Sequence, residues 1–300
     1  MRLPIKLNPT FLSTRSRSIV RPLTASGDPS RIPELAAEFS AASEKRRTEI
    51  AAEFSAAVSA LKFAATFKTT RPGRLAASTS LLESLLRGTG HVIADIGASD
   101  ATTSADLAER LAPRYEKLVA MDLNDSVEVA NDGRHVAFYA PDGKLLVVVT
   151  KRLVWYADTR SADFVSKWTV ARMFGRVDPN RERRTVPLIN PRFVALSESN
   201  PAVSFQRHDL FVPLPFRATC VRIANLLNLG YFSPAEIERG LAAATMNLAE
   251  DGLLLVTRND DLVTENGTIF VRTARRLKAV ATVGAGSEIA GIAEGLSIPE

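Results

Sequence analysis

The chain has 300 residues, 46% of them hydrophobic and 24% charged, ordinary usage for a globular protein, which excludes wholesale disorder. One cysteine, Cys220, and three histidines (His91, His135, His208) without a His-x-x-x-His spacing argue against an intramolecular disulfide, a cysteine-cluster metal site or a zinc site, and no apolar run reaches the roughly 18 residues of a membrane span. The net charge of +5 is carried by residues 1–31, where Arg2, Lys6, Arg15, Arg17, Arg21 and Arg31 stand against Asp28 alone; the rest of the chain is neutral, which weakens a nucleic-acid reading.

Residues 1–31 are expected to form a loosely ordered basic tail. Their Arg and Ser content, with almost no acids, is similar to an organellar transit peptide, but Pro4, Pro9 and Pro22 oppose the amphipathic helix such a peptide needs. The remaining reading is a phosphate-contacting arm, whose binding would be strongly salt-dependent. The expected location is the cytoplasm, with organellar targeting as the alternative.

Residues 32–88 are expected to form a helical N-terminal extension. Positions 34–68 lack Gly and Pro and are rich in Ala, Glu and Lys, which predicts one long helix or two shorter ones. Within it Glu34–Ala42 recurs as Glu49–Ala57, carrying Phe39 and Phe54 at matching places. In one continuous helix the copies lie about 60° apart, so both rings share a broad apolar face. That face either caps the main domain or pairs with a second copy to make a homo-oligomer. Arg71-Pro-Gly-Arg74 ends the stretch, and a short helix follows near 75–87.

The third segment, 89–300, alternates strand and helix. His91–Asp95 is a short apolar strand ending in an acid, Ile96–Asp100 a tight turn, and 101–111 has helical spacing with Leu107 and Leu111 one turn apart. Lys117–Asp122 is a second strand ending in an acid, completing a β-α-β unit. Further strands are predicted at Val203–Asp209, Ala218–Ala224 and Leu253–Thr257. A helix begins at Ser233-Pro234, where Ser as N-cap, Pro at the first position and Glu236 form a capping box. The fold class is therefore α/β: a doubly wound, mostly parallel Rossmann-like sheet. The last part, Gly267–Val283, reads as an antiparallel β-hairpin. Arg258–Asn266 is too short and polar to hold the helix expected after the fifth strand.

Between Asp122 and Asp209 lie 86 residues, where one helix and one strand need about 30. The excess, about 126–188, is predicted to be a β-rich insert. The turns Asn131-Asp-Gly133 and Pro141-Asp-Gly143 separate strand-like runs at 135–140, 145–150 and 153–157. A helix at 162–174 and a loop bearing Arg176, Arg181, Arg183 and Arg184 follow. Inserts decorate a scaffold, so substrate or partner specificity is expected there, the arginine loop being either solvated or a clamp for an anionic substrate.

The chemistry lies at the strand ends. In Asp95-Ile-Gly97-Ala98-Ser99-Asp-Ala101 the glycine after a strand permits a sharp turn and close approach of a ligand to the backbone. The following helix offers unpaired N–H groups. A carboxylate at Asp95 suits a ligand's ammonium better than a pyrophosphate, which it would repel.

This segment resembles the first motif of class I S-adenosylmethionine-dependent methyltransferases, Asp-x-Gly-x-Gly-x-Gly, with Ser99 and Ala101 at the later glycine positions. The resemblance covers roughly 90–125 and 190–260. It implies S-adenosylmethionine as cofactor, with Asp122 (25 residues after Gly97) and Leu123 at the ribose, and Asp209 and Leu210 at the adenine. It further implies that Asn225–Phe232 faces the reacting methyl, with Asn225 also at the cofactor and Asn225, Asn228 and Tyr231 as substrate-positioning candidates. Arg222, Asn225, Tyr231 and Phe232 carry a partial likeness to chemotaxis-receptor glutamate methyltransferases. The implied reaction is in-line displacement on the sulfonium methyl by an O, N or C nucleophile, in which positioning supplies much of the rate; no residue announces itself as a general base.

Two other readings stand beside it. One is a non-catalytic relative acting through partner binding. The other, a dinucleotide-dependent oxidoreductase, lacks the required glycines: Ser99 and Thr102 stand in their places. The Asn-Pro-Pro-Tyr type of motif after the fourth strand is absent, and aromatic residues are 7% of the chain, so the expected acceptor is a small molecule or a protein rather than a nucleic acid. No metal site is expected.

Overall fold

The computed structural model describes residues 20–23, 27–63, 66–67, 70–151, 153–157, 182–260 and 264–298. The chain divides into two compact units, one built from Met1–Thr69 and Ser126–Leu188, the other from Thr70–Asp125 and Ile189–Glu300. The 32–88 stretch is thus split at 69/70, and its first part belongs to the same unit as the segment read as an insert.

In the first unit the 34–68 stretch is not one helix. Helices Ile32–Ala41 and Glu44–Val58 are separated by Ala42 and Ser43, and short strands Lys62–Phe63 and Thr66–Phe67 replace the predicted helical end. Each copy of the repeat supplies one helix of a packed pair. Phe39 and Phe54 are both buried, by the fold-back of two helices rather than along one face. Arg46 links Glu38, Glu49 and Glu53, and Arg31 also reaches Glu53. The remainder is a six-stranded antiparallel sheet containing Ser126–Asn131, Val136–Tyr139, Leu145–Val149 and Leu153–Tyr156 as a meander, flanked by Arg184–Pro187 and Val20–Pro22. Arg183 stacks 3.9 Å above the Tyr139 ring and pairs with Glu128 at 3.0 Å. The expected helix at 162–174, Arg176 and Arg181 lie outside the described residues.

The second unit carries the strand-end motifs. Its elements are α1 (Ala76–Leu85), β1 (His91–Ile96), α2 (Thr102–Leu111), β2 (Tyr115–Asp122), α3 (Pro191–Ser199), β3 (Val203–Arg207), β4 (Ala218–Ala224), α4 (Pro234–Met246), β5 (Leu248–Asn259), β6 (Glu265–Thr273), β7 (Arg276–Val283) and α5 (Ala290–Gly295). The sheet order is β3-β2-β1-β4-β5-β6-β7. The first five strands are parallel, and β6 and β7 return antiparallel. The predicted α/β class is therefore observed, with the antiparallel edge where the last hairpin was expected. β5 runs on to Asn259 and turns into β6 through an Asp260 N–H to Thr264 carbonyl bond, which is why no helix was legible there.

The apolar runs are continuous because both faces of the sheet are covered. Ala94, Ile96, Val119, Met121, Val221, Ile223, Leu254 and Val256 pack with Ile237 and Leu241 of α4 on one face. Ile93, Leu118, Ala120, Cys220 and Leu255 pack with Leu82, Ala105, Ala108 and Leu111 on the other. Cys220 is wholly enclosed, and burial pushes its thiol up to about 12. It is core, not a nucleophile. The capping box at Ser233 forms as its sequence predicts.

Candidate functional site at the sheet's switch point

From β1 the chain steps outward through β2 to β3, then returns to β4 and proceeds the other way. The carboxyl ends of β1 and β4 form the topological switch point, the edge at which open α/β sheets bind ligands. The predicted site residues gather along this edge.

The turn after β1 is fastened to β2: the Gly97 and Ala98 N–H groups donate to the Met121 carbonyl at 2.8 and 3.0 Å. Gly97, Ser99 and Ala101 all adopt left-handed backbone, with φ of 77, 60 and 63°. For the two non-glycines this costs on the order of 1 kcal/mol each. The conformation is retained because the turn is bonded throughout. The Ser99 N–H donates to Asp122 Oδ2 at 2.8 Å. Asp100 accepts from the Thr102 N–H and hydroxyl at 2.9 and 3.0 Å, closing the turn just before α2, and Asn190 bonds the same hydroxyl at 3.0 Å. Ala98 is buried, and its N–H is taken by the Met121 carbonyl.

Asp122 ends β2 half-buried, its Oδ1 accepting the Asn124 N–H at 2.9 Å. The His208 N–H reaches the Asp122 carbonyl at 3.0 Å, setting Asp209 beside it. Asp209 Oδ1 accepts the Phe211 N–H at 2.9 Å. Burial pushes the His208 pKa down, and its Nε2 has no hydrogen-bond partner among the described residues. Leu123 is 46% exposed at the rim. Leu210, predicted at the adenine, instead packs inward onto Gly240.

Asp95 departs most from expectation. It is not open to a ligand's ammonium. Directly across from it on β4 stands Arg222, fully buried, whose Nε and Nη2 donate to Asp95 Oδ1 and Oδ2 at 2.8 and 2.5 Å. The Ser104 hydroxyl adds a third bond at 2.5 Å. Burial works to lower the Arg222 pKa, but the Asp95 charge and its hydrogen bonds outweigh this and raise it. The pair is an internal brace between β1, β4 and the first turn of α2. Arg222 therefore lies inside the sheet and not at an acceptor.

The segment after β4 folds over the glycine turn. Asn225 (φ 56°) donates from Nδ2 to Asn259 at 3.1 Å and accepts the Asn259 N–H at 2.8 Å. Asn228 bonds the Leu226 carbonyl and the Gly230 N–H at 3.2 and 3.0 Å. Both amides hold the loop in shape, whereas Tyr231 is 43% exposed. Leu226 sits so close above Gly97 that a Cβ placed there meets its Cδ2 at 2.7 Å. Gly97→Ala is thus expected to cost about 2–4 kcal/mol, from left-handed strain plus overpacking, with part recovered in a Gly97→Ala/Leu226→Ala double variant. Urea unfolding measures both; a single variant within 0.5 kcal/mol of wild type, on the order of ordinary surface changes, contradicts the contact.

Arg74 is a site neighbour that the sequence did not disclose. From the Arg71–Arg74 turn its Nη2 reaches Asn225 Oδ1 at 3.4 Å, and burial together with the Arg71 charge pushes its pKa down. Only the fold brings residue 74 to residue 225, and no local spacing marks it. No group of three or more His, Cys, Asp or Glu residues able to hold a metal occurs among the described residues.

No family model and no curated protein matches the chain. Among solved structures it is similar to the N-methyltransferase NodS from Bradyrhizobium japonicum WM9 in complex with S-adenosyl-L-homocysteine, at 13% identity and TM-score 0.32, over 62% of each chain. It is similar to the S-adenosylmethionine-dependent methyltransferase SibL, at 18% identity and TM-score 0.32, over 61% of this chain and 36% of that one. A third similarity is to Haemonchus contortus phosphoethanolamine N-methyltransferase 1, at 13% identity and TM-score 0.33, over 79% of this chain and 33% of that one. The alignments thus span less than two thirds of each of these structures.

Proposed function

We propose that the chain is an S-adenosylmethionine-dependent methyltransferase acting on a small-molecule or protein acceptor. One observation carries the reading. The three positions where the family motif has glycines, 97, 99 and 101, are the three left-handed residues of the turn, and the turn is bonded to a strand-end carboxylate, Asp122. A Ser and an Ala kept in that conformation imply that the backbone shape itself is needed.

In this reading Asp122 holds the ribose hydroxyls, Asp209 lies at the adenine amino group and Leu123 covers the base. The half-exposed Asp122 carboxylate and the exposed Leu123 support the nucleoside half of this reading. The amino-acid half does not fit while Leu226 rests on Gly97 and Asp95 is taken by Arg222 and Ser104. When bound, the cofactor supplies an activated methyl group on sulfur. Asn225 and Asn228 shape the loop beside it, and exposed Tyr231 is the side chain placed to orient an acceptor.

A second reading, a non-catalytic relative that acts through a partner, is favoured by the same closed amino-acid half. Incubation with tritium-methyl S-adenosylmethionine and the protein and small-molecule fractions of a cell extract separates the two. Label entering an acceptor with wild-type protein but not with Asp122→Ala supports methyl transfer. Cofactor binding without any label transfer supports the second reading.

A further inference from the structure

We infer that Leu226 gates the amino-acid half of the cofactor seat: as folded here the site takes an adenine nucleoside lacking the aminoacyl chain, and admits an S-adenosyl amino acid only when Leu226 leaves Gly97. This rests on the proposed adenosyl site and adds to it a ligand class and a residue that selects it.

The space that a glycine leaves for a ligand is filled here by the protein. Leu226 Cδ2, Cβ and Cγ lie 2.7, 3.1 and 3.4 Å from the place of a Gly97 Cβ. A group approaching Gly97 from the side where a Cβ would stand displaces the leucine. Below it, all three donors within reach of Asp95 are internal, so nothing there receives an ammonium. Along the same edge, Asp122 ends β2 and Asp209 follows the end of the adjacent β3, and Leu123, next to Asp122, is exposed. A nucleoside meets carboxylates and an apolar surface there, whereas an aminoacyl chain extending from it meets Leu226.

The gate is held at several points. The Asn225 N–H donates to the Thr257 carbonyl at 2.8 Å. The Leu229 N–H donates to Glu288 Oε1 at 3.0 Å, and Arg258 Nη1 donates to the same oxygen at 2.5 Å. Glu288, which follows β7, therefore latches the loop that carries Leu226. That loop continues into Tyr231, so an acceptor touching Tyr231 bears on the gate as well.

The test is calorimetric titration of the full chain with adenosine, 5′-methylthioadenosine and S-adenosylhomocysteine, in wild type, Leu226→Ala and Glu288→Ala. Wild type is expected to bind adenosine and methylthioadenosine at least as tightly as S-adenosylhomocysteine. Leu226→Ala tightens S-adenosylhomocysteine at least tenfold and leaves adenosine within twofold. Glu288→Ala moves the same ratio the same way, by two- to fivefold, and serves if Leu226→Ala fails to fold. Wild-type preference for S-adenosylhomocysteine over adenosine by tenfold or more, unchanged in both variants, overturns the gate while leaving the adenosyl site standing. No nucleoside binding by any folded form overturns the site itself, and the gate with it.

Discussion

Asp95→Asn or Arg222→Met, made singly, is expected to destabilise the protein by about 3–5 kcal/mol, because each leaves an uncompensated group in a fully buried site. The Arg222 side chain is 0% exposed and that of Asp95 2%. They face one another on neighbouring parallel strands, with Ser104 as the third member. Arg222 Nη1 already lacks a partner among the described residues, and the one other side-chain acceptor at the guanidinium is the neutral Thr103 hydroxyl, 3.4 Å from Nη2. A loss of this size is a large fraction of the roughly 5–15 kcal/mol of a typical domain. The double variant Asp95→Leu/Arg222→Met is expected to recover most of it, since well-packed apolar side chains of similar volume often match a buried ion pair. Equilibrium urea unfolding of the three variants measures the coupling. Single losses under about 1 kcal/mol, the range of exposed ion pairs, would mean that the pair is hydrated.

Asp122→Ala is expected to weaken binding of any adenosyl ligand by about 30- to 150-fold, from loss of hydrogen bonds to a charged acceptor worth roughly 2–3 kcal/mol. It also removes the acceptor for the Ser99 and Asn124 N–H groups. The left-handed turn then loses a restraint, and stability falls by about 1–2 kcal/mol. Asp122→Asn retains Oδ1 as acceptor for Asn124 and is expected to fall between. Equal affinity in all three proteins would place the ligand elsewhere.

Much of the second unit was legible because its signals are local. Ala218–Ala224 and the Ser233 cap follow from apolar runs and capping chemistry. The turn at Gly97 was marked by its glycine, and the acids at 122 and 209 by their places at strand ends. The errors share one cause, which is that spacing does not say where a side chain finds its partner. Asp95 was assigned to a ligand because it ends a strand. The contrary signal lay in Arg222, a lone cation inside Thr-Cys-Val-Arg-Ile-Ala. One acid and one base within adjacent strands covered on both faces must find each other. Over 34–68 the sequence leaves one helix or two open, and the pair is observed; its helical spacing runs past Ser59 into what are short strands, since high propensity does not disclose where a chain folds back for tertiary packing. Arg74 and Leu226 act through contacts that only the fold creates.

The most direct measurement is calorimetric titration of the purified, folded protein with adenosine and S-adenosylhomocysteine, with Asp122→Ala alongside. Saturable one-to-one binding of adenosine that Asp122→Ala removes is the predicted result, since Asp122 is half-exposed and Leu123 beside it is exposed. No heat from either ligand with well-folded wild-type protein, or binding indifferent to Asp122, would contradict the assignment of the strand-end edge around Asp122 as an adenosyl site.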